Sequence, residues 1–255
     1  MRTALALALA TFTRSLTARV CTALAVLATP VFATAMVWLS RSGLVTGPSA
    51  VKFEPLADGP AAVAAATLSG QILTVVMVLA TGFAAAWLFG REWADGTFGG
   101  LFALPVNRST VATAKMVVLA TWVLACTLLA VALTALGIAL AHGPLTGDAL
   151  MALLRAAVAA ALMGALGLPF GWVAVRFRGY LGAVGGIIAV TAVSQILAGV
   201  GLGRWVPYVA PALWAGSGGA DAARTVGALQ LGWGLVFAGL GAAAAVRAFA
   251  RARLD

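Results

Sequence analysis

The stretch "REWADGTFGGLFALPVNRSTVATAK", residues 91–115, interrupts an otherwise apolar chain with charges, glycines and a proline. Of the 255 residues, 63% are hydrophobic and only 9% are charged, and the mean hydropathy is +1.06. Soluble domains contain about 25% charged residues, so this chain has too little polar surface to fold in water. The composition indicates an all-α integral membrane protein with one polar segment between two of its spans.

Six apolar segments are long enough to cross a membrane. A helix needs about 20 apolar residues, at about 1.5 Å each, to cross about 30 Å of hydrocarbon. The predicted spans are Val20–Leu39, Thr67–Phe89, Met116–Leu140, Leu150–Val175, Tyr180–Leu202 and Val226–Phe249. The polar segment 90–115 connects the second span to the third. We therefore expect residues 1–255 to form a single transmembrane domain.

The basic residues predict the orientation of the spans, because cytoplasmic connections are enriched in lysine and arginine. Eleven of the sixteen basic residues lie on the side that holds both termini, namely Arg2, Arg14, Arg19, Arg91, Arg108, Lys115, Arg176, Arg178, Arg247, Arg251 and Arg253. Four lie on the opposite side. The sequence predicts that both termini and residues 90–115 are cytoplasmic, in a multi-pass protein of the cell inner membrane.

The net charge of +9 has two readings, nucleic-acid binding or contact with membrane lipids. The basic residues are scattered between apolar runs and form no single basic patch along the sequence. Such spacing is typical of topology signals and of contacts with anionic lipids. We therefore expect membrane lipids as partners and no nucleic acid.

The first nineteen residues combine a basic start with an apolar run, as a cleaved signal peptide does. However, Arg14 and Arg19 follow the run, and no small-x-small cleavage site precedes a polar mature terminus. We therefore favour an N-terminal interfacial helix that lies on the inner leaflet before the first span.

Within the polar segment, local patterns predict a short helix with one apolar face. Asp95 can cap its start, because a carboxylate there accepts free backbone N–H groups. Phe98, Leu101 and Phe102 follow at i, i+3 and i+4 and share one helical face. Pro105 ends the helix. An apolar ridge beneath a membrane either docks into a partner or rests among lipid headgroups, and the residues alone leave both open.

The polar segment also carries a spaced motif, E-x(3)-G-T-x(3)-L-x(3)-P-x-x-R. Its fixed positions are Glu92, Gly96, Thr97, Leu101, Pro105 and Arg108. On this motif the chain resembles the ABC type-2 exporter permeases, and it is most similar to the bacterial bacitracin-efflux and lantibiotic-immunity permeases. The family layout of six spans with an N-terminal interfacial helix also agrees. Gly99 and Gly100 depart from the pattern, since helix formers are expected there.

The resemblance implies that residues 90–115 act as a coupling helix in a cleft of a separate ATPase subunit. It assigns the docking ridge to Phe98, Leu101 and Phe102. It also implies that Glu92 and Arg108 hold the two ends of the ridge, by ion pairs or by hydrogen bonds to the partner, and that Pro105 sets the exit angle. Gly96 and Thr97 complete the set of predicted coupling residues.

The chain has no G-x-x-x-x-G-K-[ST] phosphate loop, so we expect the partner subunit to bind ATP. The resemblance thus implies a transporter subunit that binds no cofactor and is not itself an enzyme. It also implies a dimer with a second copy or a similar permease. Cys21 and Cys126 lack the spacing of a metal site or a disulfide framework, and we expect no catalytic or metal-binding residues.

Two polar residues within the predicted spans are candidates for the transport pathway. Arg155 lies near the external end of the fourth span, where snorkelling to the interface is the simpler interpretation. Gln195 is deeper, and a helix–helix hydrogen bond is the simpler interpretation there. With so few polar groups, the bundle favours a hydrophobic or amphipathic cargo, such as a drug, a peptide antibiotic or a lipid-like compound.

Two further patterns concern helix packing and the last external loop. Gly167-x-x-x-Gly171 and Gly182-x-x-x-Gly186 have the spacing of close helix crossings. The loop before the last span carries interfacial aromatic residues, including Tyr208. It either dips back to the membrane surface or serves as a simple aromatic anchor.

Three other functions compete with the exporter interpretation. An ion-coupled secondary transporter needs titratable groups near the midplane, and the predicted spans contain no aspartate or glutamate. An intramembrane protease would rely on Ser217 and His142, both predicted in external loops and without a second base. A non-transporting membrane assembly subunit that uses the same ATPase stays open.

Overall fold

The computed structural model describes residues 1–44, 59–103 and 106–253, and for residues 101–103 it describes the backbone only. Every helix and turn of this part belongs to an all-α bundle. Its eleven α-helices are α1 Arg2–Thr13, α2 Leu16–Ala23, α3 Thr29–Arg41, α4 Ala61–Ala94, α5 Arg108–Ala141, α6 Gly147–Gly167, α7 Phe170–Arg176, α8 Leu181–Gly199, α9 Ala210–Trp214, α10 Gly219–Arg224 and α11 Ala228–Arg251. A π-helical turn, Leu24–Ala28, joins α2 to α3, and a 3-10 helix, Phe98–Ala103, follows α4.

Six helices in the described residues are long and apolar enough to cross a membrane. They are α2–α3, α4, α5, α6–α7, α8 and α11. The fold class predicted from the sequence is therefore confirmed. The fourth helix is broken between α6 and α7 at Pro169, as expected for a residue that lacks a backbone N–H donor.

The helices around the polar segment are longer than the sequence predicted. α4 begins at Ala61 rather than Thr67, because the alanine-rich run at 61–66 favours helix. It also continues to Ala94, so Arg91 and Glu92 belong to the helix and not to a connecting loop. α5 begins at Arg108, where the side chain of Asn107 accepts the Ser109 N–H at 3.1 Å.

α4 is the centre of the bundle. Of its most apolar stretch, 67% is buried, against 17% for α11. It packs most extensively on α6 and also contacts the first span, α5, α7 and α8. At the α4–α6 crossing, a Cβ added to Gly167 would lie 2.7 Å from the backbone nitrogen of Gly82. The absence of a side chain at Gly167 therefore permits close approach of the two backbones.

The second glycine pair predicted to mark a close crossing does not do so. A Cβ on Gly182 would lie 3.4 Å from Phe177, and one on Gly186 would lie 3.6 Å from Phe170. These are ordinary van der Waals distances to aromatic side chains. The expectation is wrong because both glycines of this pair contact side chains rather than the backbone of a neighbouring helix.

The N-terminal helix α1 is a separate element before the first span. The Ser15 side chain accepts the Ala18 N–H at 3.1 Å and starts α2 there. α1 packs on α5, with the Phe12 ring edge-on to Trp122 at 5.4 Å. This agrees with the sequence prediction of a distinct N-terminal helix, and its location at a membrane interface stays a prediction.

The C-terminal end of the described chain lies beside the start of α5, because the Arg108 guanidinium donates to the carbonyl of Ala252, just after α11. We call this the basic end, and it comprises residues 91–103, 106–108, 176–180 and 251–253. The opposite end, where α5 turns into α6, is called the far end.

The segment between α8 and α11 enters the bundle. The Tyr208 hydroxyl donates to the Leu166 carbonyl at 3.0 Å, and its ring lies edge-on to Phe170 and Phe237 at 6.3 and 5.9 Å. Leu166 is near the end of α6, and Phe237 is in the middle of α11. Both sequence interpretations, a dip to the membrane surface and a simple aromatic anchor, place Tyr208 too close to the surface. In the structure its ring packs among aromatic side chains and its hydroxyl donates to a backbone carbonyl within the bundle.

The α4–α6 crossing can be tested with one added methyl group. Gly167→Ala should destabilise the protein by about 1–3 kcal/mol, because its Cβ would press on the α4 backbone. Gly239→Ala in α11 is the matched control, because a Cβ added at Gly239 would meet nothing within 4 Å. This variant should leave the stability of the protein unchanged or raise it by up to about 1 kcal/mol. Thermal denaturation in detergent, followed by tryptophan fluorescence, measures both. Equal melting temperatures would contradict the close crossing.

Candidate coupling site

The turn after α4 is built by Gly96. Its φ is +66°, in the left-handed region that glycine adopts without steric cost. The Gly96 N–H donates to the Trp93 carbonyl at 3.1 Å, and the Thr97 N–H donates to the Glu92 carbonyl at 2.8 Å. These two bonds form a Schellman motif, which satisfies the last carbonyls of a helix. The Gly-Thr pair is therefore a helix stop that leads into the 3-10 helix.

Asp95 ends α4 instead of starting the next helix. It is the C-cap residue of α4, and its carboxylate lies 3.8 Å from the Arg91 guanidinium one turn earlier. The predicted N-cap role is therefore wrong. The physical reason is that α4 continues through Ala94, so the chain is still helical where the sequence pattern indicated a new start.

A buried ion pair joins α4 to α5. The Lys115 ammonium contacts the Glu92 carboxylate directly, and only 5% of the lysine and 14% of the glutamate side chain is exposed. The same ammonium donates to the Leu88 carbonyl at 2.7 Å and lies 4.5 Å from the centre of the Phe249 ring. A buried charge is tolerated when such partners replace water. One cation thus links the ends of α4, α5 and α11.

An aromatic cluster surrounds the ion pair. Trp93 stacks on Phe98 with ring centres 4.1 Å apart. The Phe249 ring from α11 meets both rings edge-on, at 5.5 Å from Trp93 and 5.9 Å from Phe98, and meets Phe89 at 5.7 Å. Edge-to-face contacts of this kind stabilise a fixed arrangement of rings. We call Glu92, Lys115, Trp93, Phe98 and Phe249 together the joint.

Two further contacts bring more of the chain to the joint. Arg108, at the start of α5, donates to the Ala252 carbonyl. Gly90 of α4 approaches the turn between α7 and α8 so closely that an added Cβ would lie 2.8 Å from the Gly179 carbonyl carbon. The basic end is therefore a single packed unit to which five of the six spans contribute, directly or through their connections.

Comparison with known families identifies the chain. A family model described as "ABC-2 family transporter protein" matches residues 19–195, which is more than half of the sequence. The chain is a member of the ABC-2 transporter family. A search of the curated proteins found no match. The matched region of this ABC-2 protein includes the whole turn from α4 to α5, and membership in the family implies an ABC transporter complex with an ATPase partner.

The structure brings some of the predicted coupling residues together. Glu92 and Phe98 belong to the joint, and Gly96 and Thr97 form the adjacent turn. Arg108 binds this chain's own C-terminal segment. The Leu101 and Phe102 side chains and all of Pro105 lie outside the described residues. Whether the segment docks onto an ATPase stays a prediction.

Phe98 is not on an exposed ridge. Only 4% of its surface is exposed, because its ring completes the stack with Trp93. The predicted α-helix is also a 3-10 helix, Phe98–Ala103. A 3-10 helix places side chains i and i+3 in line, and the two glycines at 99–100 disfavour an α-helix. Ala94–Thr97, Gly99 and Gly100 are the exposed part.

The candidate pathway residues are far from the joint. Arg155 is exposed on the surface of α6, two turns from its start at the far end. The Gln195 amide nitrogen is buried without a hydrogen-bond partner among the described residues, so it does not form the expected helix–helix bond. A buried helix–helix bond is formed by Ser69 and Thr134, whose hydroxyls are 3.0 Å apart.

Lys115, Trp93 and Phe249 were not predicted as site residues. A signal existed for Lys115, since a lone lysine at the edge of an apolar helix needs an acidic partner, and Glu92 is the nearest candidate across the turn. No local pattern marks Phe249, because it lies 134 residues beyond Lys115 and only the packing of α11 brings it there.

The ion pair can be tested with single and double substitutions. Lys115→Met should cost about 3–5 kcal/mol of stability, because Glu92 is left buried without its partner. Adding Glu92→Gln should recover much of the loss, since no buried charge remains. Thermal denaturation of the detergent-purified variants measures the coupling. A double variant whose loss equals the sum of the single losses would contradict the pair.

The helix stop can be tested at Gly96. Gly96→Ala should cost about 1–2 kcal/mol, because alanine resists a left-handed backbone. Gly100→Ala is the control, since an added Cβ there would meet nothing within 4 Å and its φ is not positive. The same denaturation measurement compares the two variants. If both variants have the same melting temperature as the unmodified protein, the left-handed turn is not required for stability.

Proposed function

We propose that this ABC-2 protein is the permease subunit of an ATP-driven exporter, and that a separate ATPase subunit binds its basic end. The cargo is a hydrophobic or amphipathic compound, such as a drug, a peptide antibiotic or a lipid-like molecule. The bacitracin-efflux and lantibiotic-immunity permeases, which share the sequence motif, fit this cargo class. The basic end faces the cytoplasm of a cell inner membrane, in agreement with the positive-inside rule.

The observation that carries the proposal is the contrast between the exposed turn and the buried joint. Residues 94–97, Gly99 and Gly100 are exposed, whereas Phe98 among them is buried against Trp93 and Phe249. A partner that grips the turn would therefore also move Phe98. Because the rings and the ion pair are closely packed, the displacement would pass to α4, α5 and α11 together.

The position of α4 extends this effect through the bundle. α4 is the most buried span and contacts the first, third, fourth and fifth spans. A shift at its basic end would therefore change the packing of helices that border any path across the membrane. Closure of the ATPase would supply the work, and this chain would convert it into helix movement.

An apolar groove at the surface of the bundle is consistent with an apolar cargo. A groove of about 360 Å³ lies between the first span and α4, and it is lined mainly by apolar side chains that include Leu24, Phe32 and Phe83. Only the Ser69–Thr134 hydroxyl pair and a few other polar groups are buried in the spans. One chain of six spans rarely encloses a complete path, so we propose that it pairs with a second copy or a similar permease.

Docking can be tested on the exposed turn. Thr97→Glu combined with Gly100→Glu should release the ATPase, because two bulky charges would stand where the partner must fit. The chain is purified by affinity from its native membranes, and the ATPase is identified by mass spectrometry of its phosphate-loop peptide. The matched control, Thr225→Glu with Gly147→Glu, places the same residues on exposed positions of the far end and should retain the ATPase.

Four outcomes would contradict the proposal. The first is that no protein with a phosphate loop is retained by the unmodified chain. The second is that the turn variant retains the ATPase as well as the control does. The third concerns transport: an ATPase that binds but supports no ATP-dependent efflux of apolar dyes or peptides would favour the assembly-subunit alternative. An efflux that stops when the proton gradient collapses at constant ATP would favour a secondary transporter.

A further inference from the structure

A second polar site lies at the basic end, beside the joint. It is a groove of about 240 Å³ between the ends of α4, α7 and α11. Its polar and aromatic lining consists of Trp93, Trp172, Arg176, Arg178, Arg251 and Arg253. Two arginines come from the turn after α7 and two from the end of α11, so folding gathers charges that lie about 75 residues apart in the sequence.

Among the described residues, those that line the groove include no acidic side chain. In the part of the chain that the structure describes, no carboxylate forms an ion pair with Arg176, Arg251 or Arg253. The nearby carboxylates are already engaged, Glu92 by Lys115 and Asp95 by Arg91. The positive charges of Arg176, Arg251 and Arg253 repel one another, so an external anion that contacts these three would stabilise the arrangement.

The backbone at Arg178 has an unusual conformation. Its φ is +50°, the one positive φ outside glycine in the described residues. The Arg178 N–H donates to the Val175 carbonyl at 3.2 Å, and the Gly179 N–H donates to the Ala174 carbonyl at 3.0 Å. These bonds form the same Schellman motif that ends α4, and there the left-handed position is occupied by Gly96.

The comparison of the two turns shows that an arginine stands where glycine would fit better. A left-handed backbone is costly for residues with a Cβ, and such outliers cluster at binding sites, where the surroundings compensate for them. Positive charge for membrane topology does not need this position, since any nearby residue of the connection would serve. An arginine that lines the groove is therefore kept at a position that glycine would occupy with less strain.

The chemistry of the lining specifies the ligand. Guanidinium groups bind phosphate through paired hydrogen bonds, and several of them together prefer an anion with more than one charged oxygen. Tryptophan concentrates at the headgroup level of membranes, and 43% of the Trp172 surface is exposed. Basic pockets between membrane helices are suited to lipid phosphates.

We propose that this groove binds the phosphate headgroup of an anionic phospholipid from the leaflet at the basic end. The acyl chains would lie along the apolar outer surface of the neighbouring helices. Because Trp93 lines the groove and also stacks on Phe98, a bound lipid would brace the joint from the side. Lipid binding to this groove does not require the ATPase, so it can be measured on this chain alone.

The test measures binding to the purified full chain in detergent micelles. Short-chain phosphatidylglycerol is titrated, with short-chain phosphatidylcholine and inorganic phosphate as parallel ligands, and the change in tryptophan fluorescence is recorded. Arg251→Gln with Arg253→Gln should weaken phosphatidylglycerol binding at least about tenfold, because each arginine near a lipid phosphate adds appreciable attraction. Arg2→Gln with Arg14→Gln removes the same charge from exposed positions of the N-terminal segment and should leave binding unchanged.

A third variant, Arg178→Gly, separates the groove from general charge effects and from misfolding. Glycine suits the left-handed backbone, so the turn is kept while one guanidinium is lost. This variant should also bind phosphatidylglycerol less tightly than the unmodified chain. All variants are compared only as monodisperse preparations of unchanged helical content.

The proposal would be overturned by any of four results. Phosphatidylglycerol could have no effect, or it could act no better than phosphatidylcholine. The groove and control variants could be weakened equally, which would reveal a general response to charge. Inorganic phosphate could bind as tightly as phosphatidylglycerol, which would make free phosphate the ligand. Unchanged binding by Arg178→Gly would remove the argument from the strained turn.

Discussion

The Lys115 ammonium is the interaction on which the basic end depends. It is nearly enclosed by protein, and it keeps its charge in contact with the Glu92 carboxylate, the Leu88 carbonyl and the face of Phe249. These partners belong to two helices other than its own. A cation that loses such partners while it stays buried, with no water to replace them, loses a large amount of free energy. The relative positions of α4, α5 and α11 are therefore specified at this end, while apolar contacts along the rest of their length are less selective.

Buried charge and exposed turn serve different purposes in the same short segment. The polar stretch after the second span is not a loop that happens to be charged. The carboxylate of Glu92 contacts Lys115 in the interior, and Gly96 ends the helix. The backbone that follows is largely exposed. In the coupling that we propose, a partner moves this surface, and the aromatic stack of Trp93, Phe98 and Phe249 gives the surface a rigid support.

Much of the fold could be predicted from the sequence, because spans are specified by length and hydropathy alone. All six were located, and the distinct N-terminal helix was also found. The ends of helices were less predictable, since alanine near 61–66 and the ion pair at Glu92 lengthen α4 beyond its apolar run. The depth of the segment around Tyr208 could not be read from its composition, because its acceptor is a backbone carbonyl on α6.

The candidate site was predicted in location but not in arrangement. The motif pointed to Glu92 and Gly96 and the apolar spacing pointed to Phe98, all within one short segment, and their role in coupling stays a prediction. The inward direction of Phe98 follows from its contact with Phe249, a residue that no periodicity connects to it. Local patterns therefore revealed the segment, and the packing of the last helix determined what each side chain does.

The buried face of α11 has a mechanical consequence. Its buried residues are Gly234, Ala238, Ala245 and Phe249, so three small side chains are followed by one large ring at the basic end. A face of small residues offers little resistance to axial sliding against its neighbours, whereas the ring at 249 interlocks with the aromatic cluster. Displacement of that ring would thus translate the whole helix along its axis. The displacement would reach Phe237, and through its contact with Tyr208 it would disturb the inserted segment, so that one aromatic residue connects the basic end to the segment between α8 and α11.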